Sequence, residues 1–132
     1  MIHSEEKRFA DMFIRPSRRQ RLLYELDHPK KRYRALDRFS HSAEDLICRE
    51  KVHLNGDVME QESEFAELLA SCRERCLLLS PDQFPDGVCL PLKEAVAYAQ
   101  LSTEAVLILG SSFAIVYGEA MKGGREKYLL AV

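Results

Sequence analysis

The sequence predicts an α+β domain in which N-terminal helices pack on one face of a C-terminal, mostly antiparallel sheet of about four strands. Three observations predict it. Apolar residues recur at three- and four-residue intervals through residues 1–50, the spacing of one helix face. Runs rich in β-branched and aromatic residues fill 105–110, 113–120 and 127–132. Glycine-bearing turns separate those runs, at Gly110-Ser111-Ser112 and at Gly123-Gly124. At 132 residues the chain fits a single domain, helical and basic over 1–50 and mixed and acidic over 51–132.

The elements follow in order. Phe9, Met12 and Phe13 make the inner side of a first helix, with Glu5 and Glu6 in its first turn, where the positive end of the helix dipole favours them. Pro16 suits the first position of a second helix, because its missing N–H has no partner there anyway. Leu22, Leu23 and Leu26 give that helix one apolar stripe. Pro29 disfavours the α region at His28 and so separates a third helix, with Asp27 or His28 as its cap. Tyr33, Leu36, Phe39 or Ser40, Ala43, Leu46 and Ile47 continue at helical spacing as a buried face.

Asn55-Gly56 is a two-residue turn signal and places a hairpin at 50–61. A helix over about 59–76 follows, with Phe65, Leu68, Leu69 and Cys72 inward and acidic residues crowding its first turns. "CLLLS" at 76–80 is a strand, "DQFPDG" a loop, and Pro91 opens a short helix with Leu92, Val96 and Ala99 on one side. Residues 76–109 then read as strand–helix–strand, a crossover long enough for parallel pairing. A Gly-Gly turn in the last hairpin pairs Lys122 with Arg125 and Tyr117 with Leu130. It also aligns Ala114, Val116, Gly118 and Ala120, a small-residue face against which helices can pack closely.

Charge is distributed unevenly. Residues 1–53 hold 13 Lys/Arg against 9 Asp/Glu, and the remainder 6 against 12, within a net charge of −2. Such a split points to an anionic partner for the first half or to attraction between the halves, within a chain or between copies. The candidate anion- or nucleic-acid-binding residues are Arg18, Arg19, Arg21, Lys30, Lys31, Arg34 and Arg38, since clustered Lys/Arg gives salt-dependent affinity for phosphate backbones. A pI near 6.1 argues for the plainer reading, a solvated or internally paired face.

Catalytic candidates are sparse. Asp37 and His41, at i and i+4, could form a carboxylate-oriented general base, with Arg34 or Arg38 aiding a phosphodiesterase. No nucleophile stands at a recognisable spacing from them. Cys72 and Cys76 lie one helical turn apart, but a zinc site commonly pairs short-spaced ligands twice, and Cys48, His53 and Cys89 are scattered. The cysteines therefore read as small core residues, and no metal or cofactor is expected. "LILGSSFAIVYG" lacks the Gly-Lys-Ser/Thr ending of a phosphate loop and reads as a hairpin. Arg125 and Lys127 read as edge-strand protection.

No apolar run is long enough to span a bilayer and no secretory leader is read, so the expected setting is cytoplasmic. The reading that results is a small, non-catalytic protein-interaction module. Its partner is another protein or a second copy, a homodimer in the simplest case, with strand 127–132 available for pairing if it lies at a sheet edge. A nucleic-acid-binding domain using the basic 15–38 segment is the alternative. A small hydrolase around Asp37 and His41 is the second.

Overall fold

A computed structural model describes residues 3–132, and it is an α+β fold. The first half is helical: α1 (Ser4–Phe13), α2 (Pro16–Asp27), α3 (Pro29–His41) and the single turn α4 (Ala43–Leu46). Both prolines stand at the helix starts where they were expected. His28 ends α2 and precedes α3 with an extended backbone, as a residue before proline must, and makes no side-chain cap. Then come β1 (Val52–Asn55), a 3-10 turn over Met59–Gln61, α5 (Ser63–Ser71), β2 (Arg75–Leu79), β3 (Cys89–Pro91), α6 (Leu92–Leu101), β4 (Val106–Leu109), β5 (Phe113–Tyr117) and β6 (Lys127–Ala131).

The sheet has six strands in the order β1-β6-β5-β4-β2-β3, and every neighbouring pair is antiparallel. Its residues alternate between two cores, because successive side chains of a strand point to opposite faces. Leu77, Leu79, Leu107, Leu109, Ala114, Val116 and Leu130 face one side, where Phe9, Phe13, Leu22, Leu26, Leu36 and Phe39 of α1–α3 cover them. Cys76, Leu78, Val106, Ile108, Ile115, Tyr117 and Leu129 face the other, against Met59, Phe65 of α5 and Leu92, Val96 and Ala99 of α6. The N-terminal helices do pack on the Ala114/Val116 face. The expectation of helices on one face only is corrected: β2, β4 and β5 are buried at every apolar position, so both faces need cover.

Five further expectations change. Cys89–Pro91, too short to register as a strand, folds back on β2. β3 and β4 both run antiparallel to β2, so the parallel crossover through α6 joins β3 to β4 across β2, and β2–β4 themselves are antiparallel. Asn55-Gly56 does turn the chain, with Gly56 at φ +90°, but into a 3-10 turn; β1 pairs with β6 instead of with a following strand. The last hairpin turns at Lys122-Gly123, where Met121 bonds Gly124, and pairs Tyr117 with Lys127 and Ala114 with Leu130. That register differs by three residues from the expected one, an odd number, which moves Leu130 to the α1–α3 face. β6 has β1 and β5 on its two sides, so it is not an edge open to a partner.

Candidate functional site

The outward side of α2 and α3 carries most of the predicted basic residues, and the helix period decides which of them are free. Leu22 and Leu26 on α2, and Ala35, Leu36 and Phe39 on α3, point into the core. Arg18, Arg21, Lys30, Lys31 and Arg34 are therefore exposed. Tyr33, expected in the buried face, is 60 % exposed among them: α3 sinks its Ala35–Leu36 and Phe39–Ser40 side and turns position 33 to solvent.

These cations differ in their ties. Arg19 donates from Nε to the Ile14 carbonyl at 2.8 Å, closing the end of α1. Arg38 grips both oxygens of the buried Glu25, and Arg21 lies 3.7 Å from the same carboxylate. Lys31 stands 4.8 Å from the centre of the exposed Tyr24 ring, which also packs on His28. Arg18, Lys30 and Arg34 form no ion pair among the described residues. The Arg38 hydrogen bonds hold Glu25 below the ordinary carboxylate value, against the opposing effect of burial, with the charges of Arg38, Arg21 and Lys31 adding to them.

Acidic side chains gather on the opposite helical layer. Glu62, Glu67 and Glu94, on and beside α5 and α6, are exposed and unpaired among the described residues, while Glu64 meets His53 at 2.7 Å. Part of the charge split is also consumed between the halves: Arg32 pairs with Asp86, and His41 Nε2 with Glu119 Oε2 at 2.8 Å.

His41 therefore has a carboxylate, but it is Glu119; Asp37 Oδ1 instead accepts a bond from Ser40 Oγ. The pair lines an open cleft of about 790 Å³ with Asp57, Arg125, Glu126 and Lys127. No Ser, Thr or Cys side chain is hydrogen-bonded to His41 among the described residues. Nearby, burial and the negative charges of Asp82, Glu119 and Asp37 push Glu104 up. Arg38 is committed to Glu25, and neither Arg34 nor Arg38 lines the cleft.

Arg125 and Lys127 are not edge protection. Arg125 donates to the carbonyls of Gly118 at 2.6 Å, Ala99 at 2.6 Å and Glu104 at 2.7 Å, and its guanidinium covers the Tyr117 ring. A cation at Ala99, in the last turn of α6, meets carbonyls that the helix leaves unbonded. Lys127 Nζ bonds Glu60 Oε1 at 3.2 Å, and Glu60 Oε2 accepts from the buried Tyr117 hydroxyl at 3.1 Å. Burial would raise Glu60, but hydrogen bonds from its own backbone, Gln100 and Lys127, with the Lys127 charge, outweigh it and lower its pKa. Sequence spacing gave no signal for this network, whose members lie on four separate segments.

The cysteines are split by position. Cys48 and Cys76 are buried, Cys72 half-buried and Cys89 exposed. Cys72, Glu74 and Cys76 have their donor atoms within 4.8 Å of one another. Burial, with the nearby Cys72 and Glu74, pushes the Cys76 thiol up to about 12. Compared with known protein families, curated proteins and solved structures, the chain matches none. No described helix is long and apolar enough to cross a membrane.

Proposed function

We propose that the chain is a non-catalytic protein-interaction module whose partner is a second copy of itself. The cationic α2–α3 face of one copy docks on the acidic α5–α6 face of the next. One observation carries the reading: among the described residues, Arg18, Lys30 and Arg34 are exposed and without an ion pair on one side of the sheet, and Glu62, Glu67 and Glu94 on the other. Two helical layers separated by a sheet stand further apart than the roughly 8 Å over which physiological salt leaves charges unscreened, so a single copy neutralises neither face. A contact between unlike faces closes into a ring or extends as a chain. Two of the cations support the non-catalytic half of the reading, because Arg38 and Arg125 are each engaged by neighbours within the fold. A cytoplasmic setting belongs to the same proposal.

Charge exchange tests it. An Arg18→Glu/Arg34→Glu variant loses self-association in sedimentation velocity, as does Glu62→Lys/Glu67→Lys. Mixing the two restores a mixed assembly. Variants that sediment like the parent protein, alone and mixed, overturn the reading.

A second reading rests on Tyr24 and Tyr33, exposed beside Lys31 and Arg34. Aromatic rings among cations are the elements of a single-stranded nucleic-acid surface, on which bases stack. Anisotropy titration of a labelled single-stranded oligonucleotide at ~50 mM and higher salt tests it, because phosphate contacts predict a steep fall in affinity. Absence of binding at the lower salt removes it.

A further inference from the structure

We propose that Cys72, Glu74 and Cys76 bind a thiophilic divalent cation of the zinc class, with one coordination position open to solvent. The backbone sets up the site. α5 ends at Ser71, Cys72 is already extended at φ −71° and ψ 124°, and Cys76 lies within β2. The chain bends at Glu74, between the end of α5 and the start of β2, and the bend brings the two ends of the segment together. The three donors thus converge from one short segment, an arrangement that reading 72–76 as a helical turn conceals.

The geometry suits the ion. Two sulfurs at about 2.3 Å from a tetrahedral zinc stand on the order of 3.8 Å apart. The donor atoms here lie within 4.8 Å of one another, so closing on an ion takes side-chain shifts on the order of an ångström or less. Two thiols select a borderline-soft metal over calcium or magnesium. Ser111 holds Glu74 in place: Glu74 Oε1 accepts from the Ser111 N–H at 2.6 Å and its Oε2 from Ser111 Oγ at 2.8 Å. A carboxylate has lone pairs beyond those two bonds, and such outer hydrogen bonds orient ligating carboxylates. An open cavity of about 510 Å³ lined by Ser71, Cys72, Glu74 and Ser112 leaves room for a water at the fourth position.

Binding is balanced by protons. Each thiol gives its proton to solvent as its sulfur–metal bond forms, and the carboxylate enters already ionised. The site lies at the C-terminal end of α5 and does not depend on the proposed self-association.

Cobalt(II) is the probe, added under anaerobic conditions to the full, reduced, metal-free chain. One equivalent is expected to bind, with a sulfur-to-cobalt charge-transfer band in the near ultraviolet and the visible bands of a tetrahedral ion. Added zinc removes both. Cys72→Ser and Cys76→Ser lose the charge-transfer band, Glu74→Gln keeps it with weaker affinity, and Cys48→Ser and Cys89→Ser keep it unchanged. Cys72 is half-buried at the end of α5, so its variant stays informative if the fully buried Cys76→Ser fails to fold. No charge-transfer band in the parent protein, or a band that survives Cys72→Ser and disappears with Cys89→Ser, overturns the site.

Discussion

Arg32 Nη2 lies 2.6 Å from Glu6 Oε2, and the Glu6 side chain is 1 % exposed. The same guanidinium reaches Asp86 through Nε at 2.7 Å and the Leu26 carbonyl at 3.1 Å. One side chain therefore ties α1, the end of α2, α3 and the loop after β2. Burial opposes the charge on Arg32, but its bonds to Asp86 and Glu6 outweigh that and raise its pKa. Among the described residues Glu6 Oε1 has no hydrogen-bond partner, so the carboxylate depends on Arg32. Arg32→Met leaves a buried carboxylate unpaired and should cost about 3–5 kcal/mol, read as a fall in the urea midpoint. Glu6→Gln, which removes the charge as well as the pair, should cost less.

Glu25 makes acid stability a matter of sign. Its folded pKa is below the ordinary 4.5, chiefly through the Arg38 hydrogen bonds. Between the two values the unfolded chain binds more protons, so stability rises with pH there. The contribution is fully present above about 4.5 and is lost as pH falls through the folded value. Urea midpoints measured from neutral pH downward should show this loss in the parent protein, and Glu25→Gln should flatten that limb.

At the alkaline end two tyrosines should lag. Burial, followed by the charge and hydrogen bond of Glu60, raises Tyr117; burial, with Glu126, raises Tyr128 to about 12. Raised phenols contribute stability below the ordinary value of 10 and lose it as pH climbs through the folded value. Phenolate absorbance should therefore report delayed ionisation of these two among the five tyrosines, and Tyr117→Phe should remove one delayed step.

Gly118 fits because nothing is there to collide. A Cβ at this position would stand 3.0 Å from the Ser40 carbonyl and 3.3 Å from Glu126 Cβ, while one at Gly123 meets nothing within 4 Å. Gly118→Ala should destabilise by about 1–3 kcal/mol, the usual cost of forcing extra volume into packed structure. Gly123→Ala should leave the thermal midpoint nearly unchanged.

Local chemistry was legible and pairing was not. Pro16 and Pro29 mark their helices because proline restricts both itself and its predecessor, a one-residue effect. Ala114 and Val116 announce the close helical layer by size. The order of strands depends on β3, three residues long, whose signal is lost in the "DQFPDG" loop before it. The hairpin register depends on where between Lys122 and Gly124 the chain turns, and adjacent glycines leave that open. Arg125 looked like surface because its partners are backbone carbonyls, which carry no sequence signal. Arg32 was hidden inside a basic run for the same kind of reason: Glu6 and Asp86 reach it only through the fold.

The most direct test of the account is the molar mass of the protein by light scattering during size exclusion, at low and at high salt. Opposed charged faces predict a mass above the 15.2 kDa of one chain at low salt, rising with protein concentration and returning toward the single-chain value as salt screens the contact. A mass of one chain at every salt and protein concentration contradicts it.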